Sequence, residues 1–186
     1  MKRLLAIGEC MVEMAPTGAA GTYHMGFAGD TMNTAWYLAK LLQDQASIEY
    51  FTAIGTDSVS DQMLAFLKDA GIGADKILRR TDRTVGLYTI QLNDGERSFT
   101  YWRGQSAART LAENSDDLRV ALRDVDILYF SGITLAILSD ADRATLLEAV
   151  QQFRSSGGDV VFDPNLRPKL WKDSDTMKTA IMQAAE

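Results

Sequence analysis

Residues 126–162, DILYFSGITLAILSDADRATLLEAVQQFRSSGGDVVF, hold a buried strand, an amphipathic helix and a second buried strand in succession. Asp126 to Phe130 is an apolar run of strand length. A Ser-Asp-Ala-Asp start at Ser139 opens a helix that runs to Ser156, and Gly157-Gly158 stops it before Asp159 to Phe162 resumes as strand. A crossover of this length joins parallel strands, so the stretch predicts an α/β fold with a mainly parallel sheet. The same alternation extends upstream. Arg3 to Ile7 reads as a strand, and Thr31 to Leu42 has apolar residues at 32, 35, 36, 38, 39 and 42, which is helical spacing. Ile48 to Ile54 reads as a strand, and Ser60 to Ala70 as a helix with Met63, Leu64, Phe66 and Leu67 on one side and Gly71 as its stop. Ser174 to Glu186 is helical in pattern with no stop signal, so the sequence reads as cut from a longer chain.

Composition agrees with one globular domain: of 186 residues 46% are hydrophobic and 24% charged, too apolar for disorder. The net charge of −6 repels nucleic acid and anionic membranes, and no basic patch offsets it. Leu4 to Ile7 is too short for a membrane span or a signal-peptide core. Cys10 is the single cysteine, so no intrachain disulfide forms and a cytoplasmic address is expected. Cys10 itself reads as a small buried hydrophobe, Asp57 as a turn or cap residue, and His24 as a surface or substrate-edge residue without metal-ligating neighbours.

Residues 84–103 lack a helical period. Asp94-Gly95 separates the alternating runs TVGLYTIQLN and ERSFTYWR, the signature of a hairpin with a two-residue turn. Pairing Asn93 with Glu96 sets Tyr88 opposite Tyr101 and Gly86 opposite Arg103, so Tyr88, Tyr101 and Arg103 share one face. A lone ribbon is marginal in water, and residues 9–14 and 22–27 are available to widen it into a small projecting sheet. Two readings of that face stand: aromatic cover for the core, or a guanidinium fork and two phenols arranged to hold a small polyhydroxylated anion.

Two further clusters qualify. Gly29-Asp30-Thr31-Met32-Asn33 runs into the first strong helix, with Asp30 or Thr31 as its cap and open amides suited to hydroxyls or an anion; an ordinary capped helix start has the same look. Asp163-Pro164-Asn165-Leu166-Arg167-Pro168 follows a strand at the end where ligands of parallel sheets collect, which makes Asn165 and Arg167 candidates for phosphate contact or members of a rigid turn.

Gly8-Glu9-Cys10-Met11, AGDTMNTA at 28–35, FTAIGTDSVSDQM at 51–63, GLYTIQLNDGERSFTYWR at 86–103, LYFSGITLAILS at 128–139 and FDPNLRPKLW at 162–171 together resemble the ribokinase-like carbohydrate kinases, most closely those acting on sugar acids. The resemblance implies a three-layer ribokinase-like core of which residues 1–186 are the N-terminal part, with a β lid from residues near 9–14, 22–27 and 84–103. It implies that Gly29, Asp30, Thr31, Asn33, Tyr88, Tyr101 and Arg103 bind the sugar, and that Asn165 and Arg167 lie near the nucleotide phosphates. ATP and Mg2+ are the implied cofactors, a sugar acid the implied substrate, and self-association through the lid the implied assembly. The family's Gly-Ala-Gly-Asp segment supplies the catalytic aspartate. No Gly-x-Gly-Asp pattern occurs after residue 30, so the resemblance places that base outside residues 1–186 and implies no kinase turnover from them alone. A kinase of the fructokinase or ribokinase type, and a non-catalytic module that binds a sugar acid, are the competing readings.

Overall fold

The computed structural model describes residues 1–93 and 96–186. Its main sheet begins with β1 (Lys2–Ile7) and gains β4 (Ala46–Phe51), β9 (Ile127–Ser131) and β10 (Asp159–Asp163) in the order β10-β9-β1-β4, all parallel. Alternate side chains of a strand face opposite ways. Leu5 and Ile7 therefore enter one core with Phe51, Leu128, Phe130 and Leu146, while Leu4 and Ala6 enter a second with Ile48 and Tyr50. A sheet apolar on both faces needs cover on both.

Helices α1 (Asp30–Leu42) and α2 (Ser58–Asp69) cover the second face with Met32, Ala35, Met63 and Leu67. Helices α3 (Ser115–Ala121), α4 (Gly132–Ile137), α5 (Asp140–Ser155) and α6 (Ser174–Ala185) cover the first through Leu118, Leu135, Leu146, Phe153 and Ala180. Ser139 caps α5 as its sequence indicates, accepting from the amide of Asp142 at 3.1 Å. Asp57 caps α2, accepting from the amides of Val59 and Ser60. No helix among the described residues is long and apolar enough to cross a membrane.

The run from Ile48 to Ile54 is not one strand. β4 follows β1 only to the pair Ile7 and Phe51, because the chain turns away at Gly8; Ala53–Gly55 becomes β5 and pairs in parallel with β6 (Leu78–Arg80). The short helices α3 and α4 also lie outside the sequence-level pattern, being less than two turns each.

A second sheet of β2 (Met11–Pro16), β3 (Tyr23–Ala28), β7 (Gly86–Asn93) and β8 (Glu96–Trp102) runs in the order β3-β2-β7-β8. The β7–β8 register sets Tyr88 against Tyr101 and Ile90 against Phe99, as the sequence arithmetic gives; the proposed turn, Asp94-Gly95, lies outside the described residues. Val12, Phe27 and Leu87 pack one face onto the α1–α2 core, with the Phe27 and Phe66 rings 5.5 Å apart. The other face bears Glu13, Tyr88, Phe99 and Tyr101.

Candidate functional site

The corner between β1 and β2 brings the two sheets to one place. A Cβ on Gly29 would lie 2.2 Å from the Glu9 carbonyl oxygen and 3.1 Å from Cys10 Cα, so only glycine lets the start of α1 close on this corner. Gly29 itself is the N-cap, without a side-chain cap, which corrects the expectation of Asp30 or Thr31 in that role. The amide of Gly29 donates to Asn33 Oδ1 at 3.3 Å. Thr31 is turned into the core, sharing a hydrogen bond of 3.0 Å with the Tyr50 hydroxyl, so its side chain does not line the cleft.

Asp30 occupies the first turn of α1, where the helix dipole favours a carboxylate. One oxygen accepts from the Ser131 hydroxyl and the other from the Asn165 side-chain amide at 2.6 Å. Asn165 is aimed by its own loop: its φ is +28°, a conformation asparagine tolerates, and its amide donates to Asp163 Oδ1 at 3.0 Å. The start of α1 and the loops after β9 and β10 thus converge on one carboxylate. Two occupied acceptor positions leave about two lone pairs on Asp30 for ligand hydroxyls. Beside it, the Tyr129 phenol is pushed up by burial and further by the charges of Asp30 and Asp163, and so stays protonated.

Arg167 does not join this cluster. Its side chain is exposed, and its guanidinium donates to the carbonyl of neighbouring Leu166 at 2.9 Å.

Tyr88, Tyr101 and Arg103 do share a face. The Tyr88 and Tyr101 rings are 5.6 Å apart, and the Arg103 guanidinium lies 5.9 Å from the Tyr101 ring centre. Their polar ends are occupied in a way the sequence does not announce. Arg103 pairs with Glu9, whose side chain is 1% exposed, and Ser106 donates to the other oxygen of that carboxylate. The Tyr88 hydroxyl donates to Glu13; burial first, then this bond and its charge, push the phenol upward. Tyr101, at 49% exposure, keeps its hydroxyl open. Glu9 interrupts an apolar run, Ala6 to Val12, and a carboxylate so placed demands a buried partner; that was the available signal. Glu13, Ser106 and Ser131 gave none, since strand pairing and loop contacts decide their neighbours.

The cluster therefore has two ends. Acceptors dominate near Asp30, and the fork of Arg103 with the Tyr101 hydroxyl stands at the hairpin base. Two surface grooves, one between α3 and α5 and one among α5, α6 and β10, share no residue with it. Asn165 and Arg167 alone form no phosphate cradle, and no cluster of metal-ligating side chains occurs among the described residues. Asn165 and Arg167 by themselves therefore do not make a complete ATP or Mg2+ site.

The profile described as pfkB family carbohydrate kinase matches residues 1–186. The chain is 42% identical over 183 residues to a 2-dehydro-3-deoxygluconokinase of Dickeya dadantii, covering 96% of this chain and 58% of that protein. A PfkB protein from Polaromonas sp. JS666 superposes with a TM-score of 0.87 at 26% identity, covering the whole chain and 63% of its own. A fructokinase from Xylella fastidiosa, solved with bound ATP, superposes at 0.82 with 22% identity over 98% of this chain and 58% of its own. The chain thus spans about three fifths of the length of the proteins it matches.

Proposed function

The chain belongs to the pfkB family of carbohydrate kinases, and we propose that the intact protein transfers phosphate from ATP to the sugar acid 2-keto-3-deoxygluconate, forming its 6-phosphate. The likeness to the Dickeya dadantii enzyme supports that substrate. The observation that carries the reading is the single face shared by Tyr88, Tyr101 and Arg103, joined to the start of α1 through Glu9, whose carbonyl oxygen lies against Gly29 and whose carboxylate pairs with Arg103. A sugar acid matches its polarity: hydroxyls donate to Asp30 and Glu13, while the carboxylate accepts from the Arg103 fork and the Tyr101 hydroxyl.

That orientation sends the far hydroxyl of the sugar toward Asn165 and the loop after β10. The role of these residues is alignment. Fixing both ends of the acceptor removes much of the orientational entropy of phosphoryl transfer, and closing the second sheet as a lid excludes the competing acceptor, water. ATP with Mg2+ supplies the phosphoryl group and charge neutralisation when bound. Asn165 lies near the transferring group in this reading, Gly29, Asp30 and Asn33 at the sugar, Arg167 at the phosphates, and Thr31 behind the sugar site as its support. Residues 1–186 hold the sugar but do not turn over ATP by themselves. The aromatic face with Phe99 and Tyr101, 46% and 49% exposed, is the proposed surface of self-association.

The Glu9–Arg103 pair favours a second reading, a neutral ketose such as fructose, because the cluster has no net positive charge. Calorimetric titration of the intact protein with 2-keto-3-deoxygluconate and with fructose, alongside coupled ATP consumption, separates the two. The acid is expected to bind at least tenfold tighter and to support turnover; equal binding, or turnover on fructose alone, overturns the proposal.

A further inference from the structure

Glu9 stands where the start of α1, the β1–β2 corner and the base of the hairpin meet. Its carbonyl oxygen lies against Gly29, and a Cβ on Gly86 would come within 2.9 Å of its Oε1 and 3.3 Å of the Arg103 Cβ. The carboxylate is buried; Oε1 accepts from Ser106, while Oε2 meets Arg103 Nη2 as an ion pair without hydrogen-bond geometry. An arginine stem has many rotamers of similar energy, and little else holds this one: among the described residues its Nε is buried with no hydrogen-bond partner, and Tyr101 meets the guanidinium only across 5.9 Å.

We propose that Glu9 is a positioning residue that makes the site selective for anionic sugars. Resting on the sugar-acid reading above, the inference is that Glu9 takes Nη2 of Arg103 and so fixes the plane of the fork, leaving Nη1 to meet a carboxylate beside the Tyr101 hydroxyl. The pair cancels the net charge of Arg103. Selection of an anion then comes from the geometry of a held donor rather than from an attractive field. Ser106 keeps the Glu9 carboxylate from rotating.

The test measures affinities of the intact protein for 2-keto-3-deoxygluconate and for the same sugar with its carboxylate reduced to a hydroxymethyl group. Wild type, Glu9→Ala, Glu9→Gln and Ser106→Ala are compared. The wild type prefers the acid by about tenfold or more, the worth of one charge-assisted hydrogen bond. Glu9→Ala loses about tenfold of that preference through the acid alone, with the reduced sugar bound as before. Glu9→Gln, isosteric but without the charge that pairs with Arg103, keeps only part of it, and Ser106→Ala lowers it about two- to threefold. An undiminished preference in Glu9→Ala, or an equal fall for both ligands, overturns the assignment. Should Glu9→Ala fail to fold, Ser106→Ala decides, and a wild-type preference there overturns it. A wild type without preference overturns the sugar-acid reading and the role of Glu9 with it, a result visible before any substitution is made.

Discussion

Replacing Arg103 with Met separates what holds the fold from what grips the ligand. In the wild type the Glu9 carboxylate, 1% exposed, has Arg103 and Ser106 as partners. Arg103→Met leaves a buried charge with one hydroxyl. Removing one member of a buried pair costs about 3–5 kcal/mol, against about 5–15 kcal/mol for the whole stability of an ordinary domain. The double variant Glu9→Gln/Arg103→Met removes the charge as well; the Ser106 hydroxyl meets one end of the amide and the other end stays unpaired at a cost of about 1–3 kcal/mol, so the double variant recovers part of the loss and stays below wild type. Urea unfolding followed by tryptophan fluorescence reads the free energies, with an unchanged m-value required for a clean comparison. Binding behaves otherwise: neither variant prefers a sugar acid, because the fork is gone from both. An Arg103→Met chain as stable as wild type, or a double variant no more stable than the single, would show that Glu9 is not a buried charge held by Arg103.

Other consequences follow from individual contacts. Asp57 accepts from the amides of Val59 and Ser60 and from the hydroxyls of Ser60 and Thr84; burial alone would raise its carboxyl, but these bonds, led by the Ser60 amide, hold it at about 2 against an ordinary 3.8. A depressed carboxyl contributes stability above its unfolded value, so the protein loses stability as pH falls from about 4 to about 2, and Asp57→Ala both costs about 1–2 kcal/mol at pH 7 and flattens that part of the acid profile. An Asp57→Ala chain with the wild-type slope there would contradict the cap. Gly29→Ala places a Cβ 2.2 Å from the Glu9 carbonyl oxygen, and backbone cannot yield as a side chain does, so a loss of about 1–3 kcal/mol or more is expected in urea. Gly104→Ala meets nothing within 4 Å and serves as the control; equal midpoints for the two variants would show that the corner is not closed.

The parallel core was legible because its signals are local. Ser139 and Gly157-Gly158 bracket α5, and the strands on either side are apolar without alternation; β9 is covered on both faces, whereas Val161 of the edge strand β10 is 49% exposed. The hairpin register followed from where Asp94-Gly95 falls between two alternating runs, and the observed pairs keep it. The division of residues 46–55 into β4 and β5 was not legible, since it depends on where β1 stops. The polar site was legible only in half. Residue types marked Asp30, Asn165, Tyr101 and Arg103, but their partners lie far away in sequence: Ser131 is 101 residues from Asp30, Asn165 is 135, and Ser106 is 97 from Glu9. Such contacts are made by the ends of parallel strands meeting, which no local pattern encodes. Thr31 shows the converse error, a good capping residue turned inward because Tyr50 offers a buried hydroxyl.

A crystal structure of the intact protein with 2-keto-3-deoxygluconate bound decides how the ligand lies. The sugar's carboxylate is expected about 2.7–3.0 Å from both the Arg103 guanidinium and the Tyr101 hydroxyl, with hydroxyls on Asp30. A carboxylate turned instead toward Asn165 and Arg167, with Arg103 touching Glu9 alone, would contradict that placement.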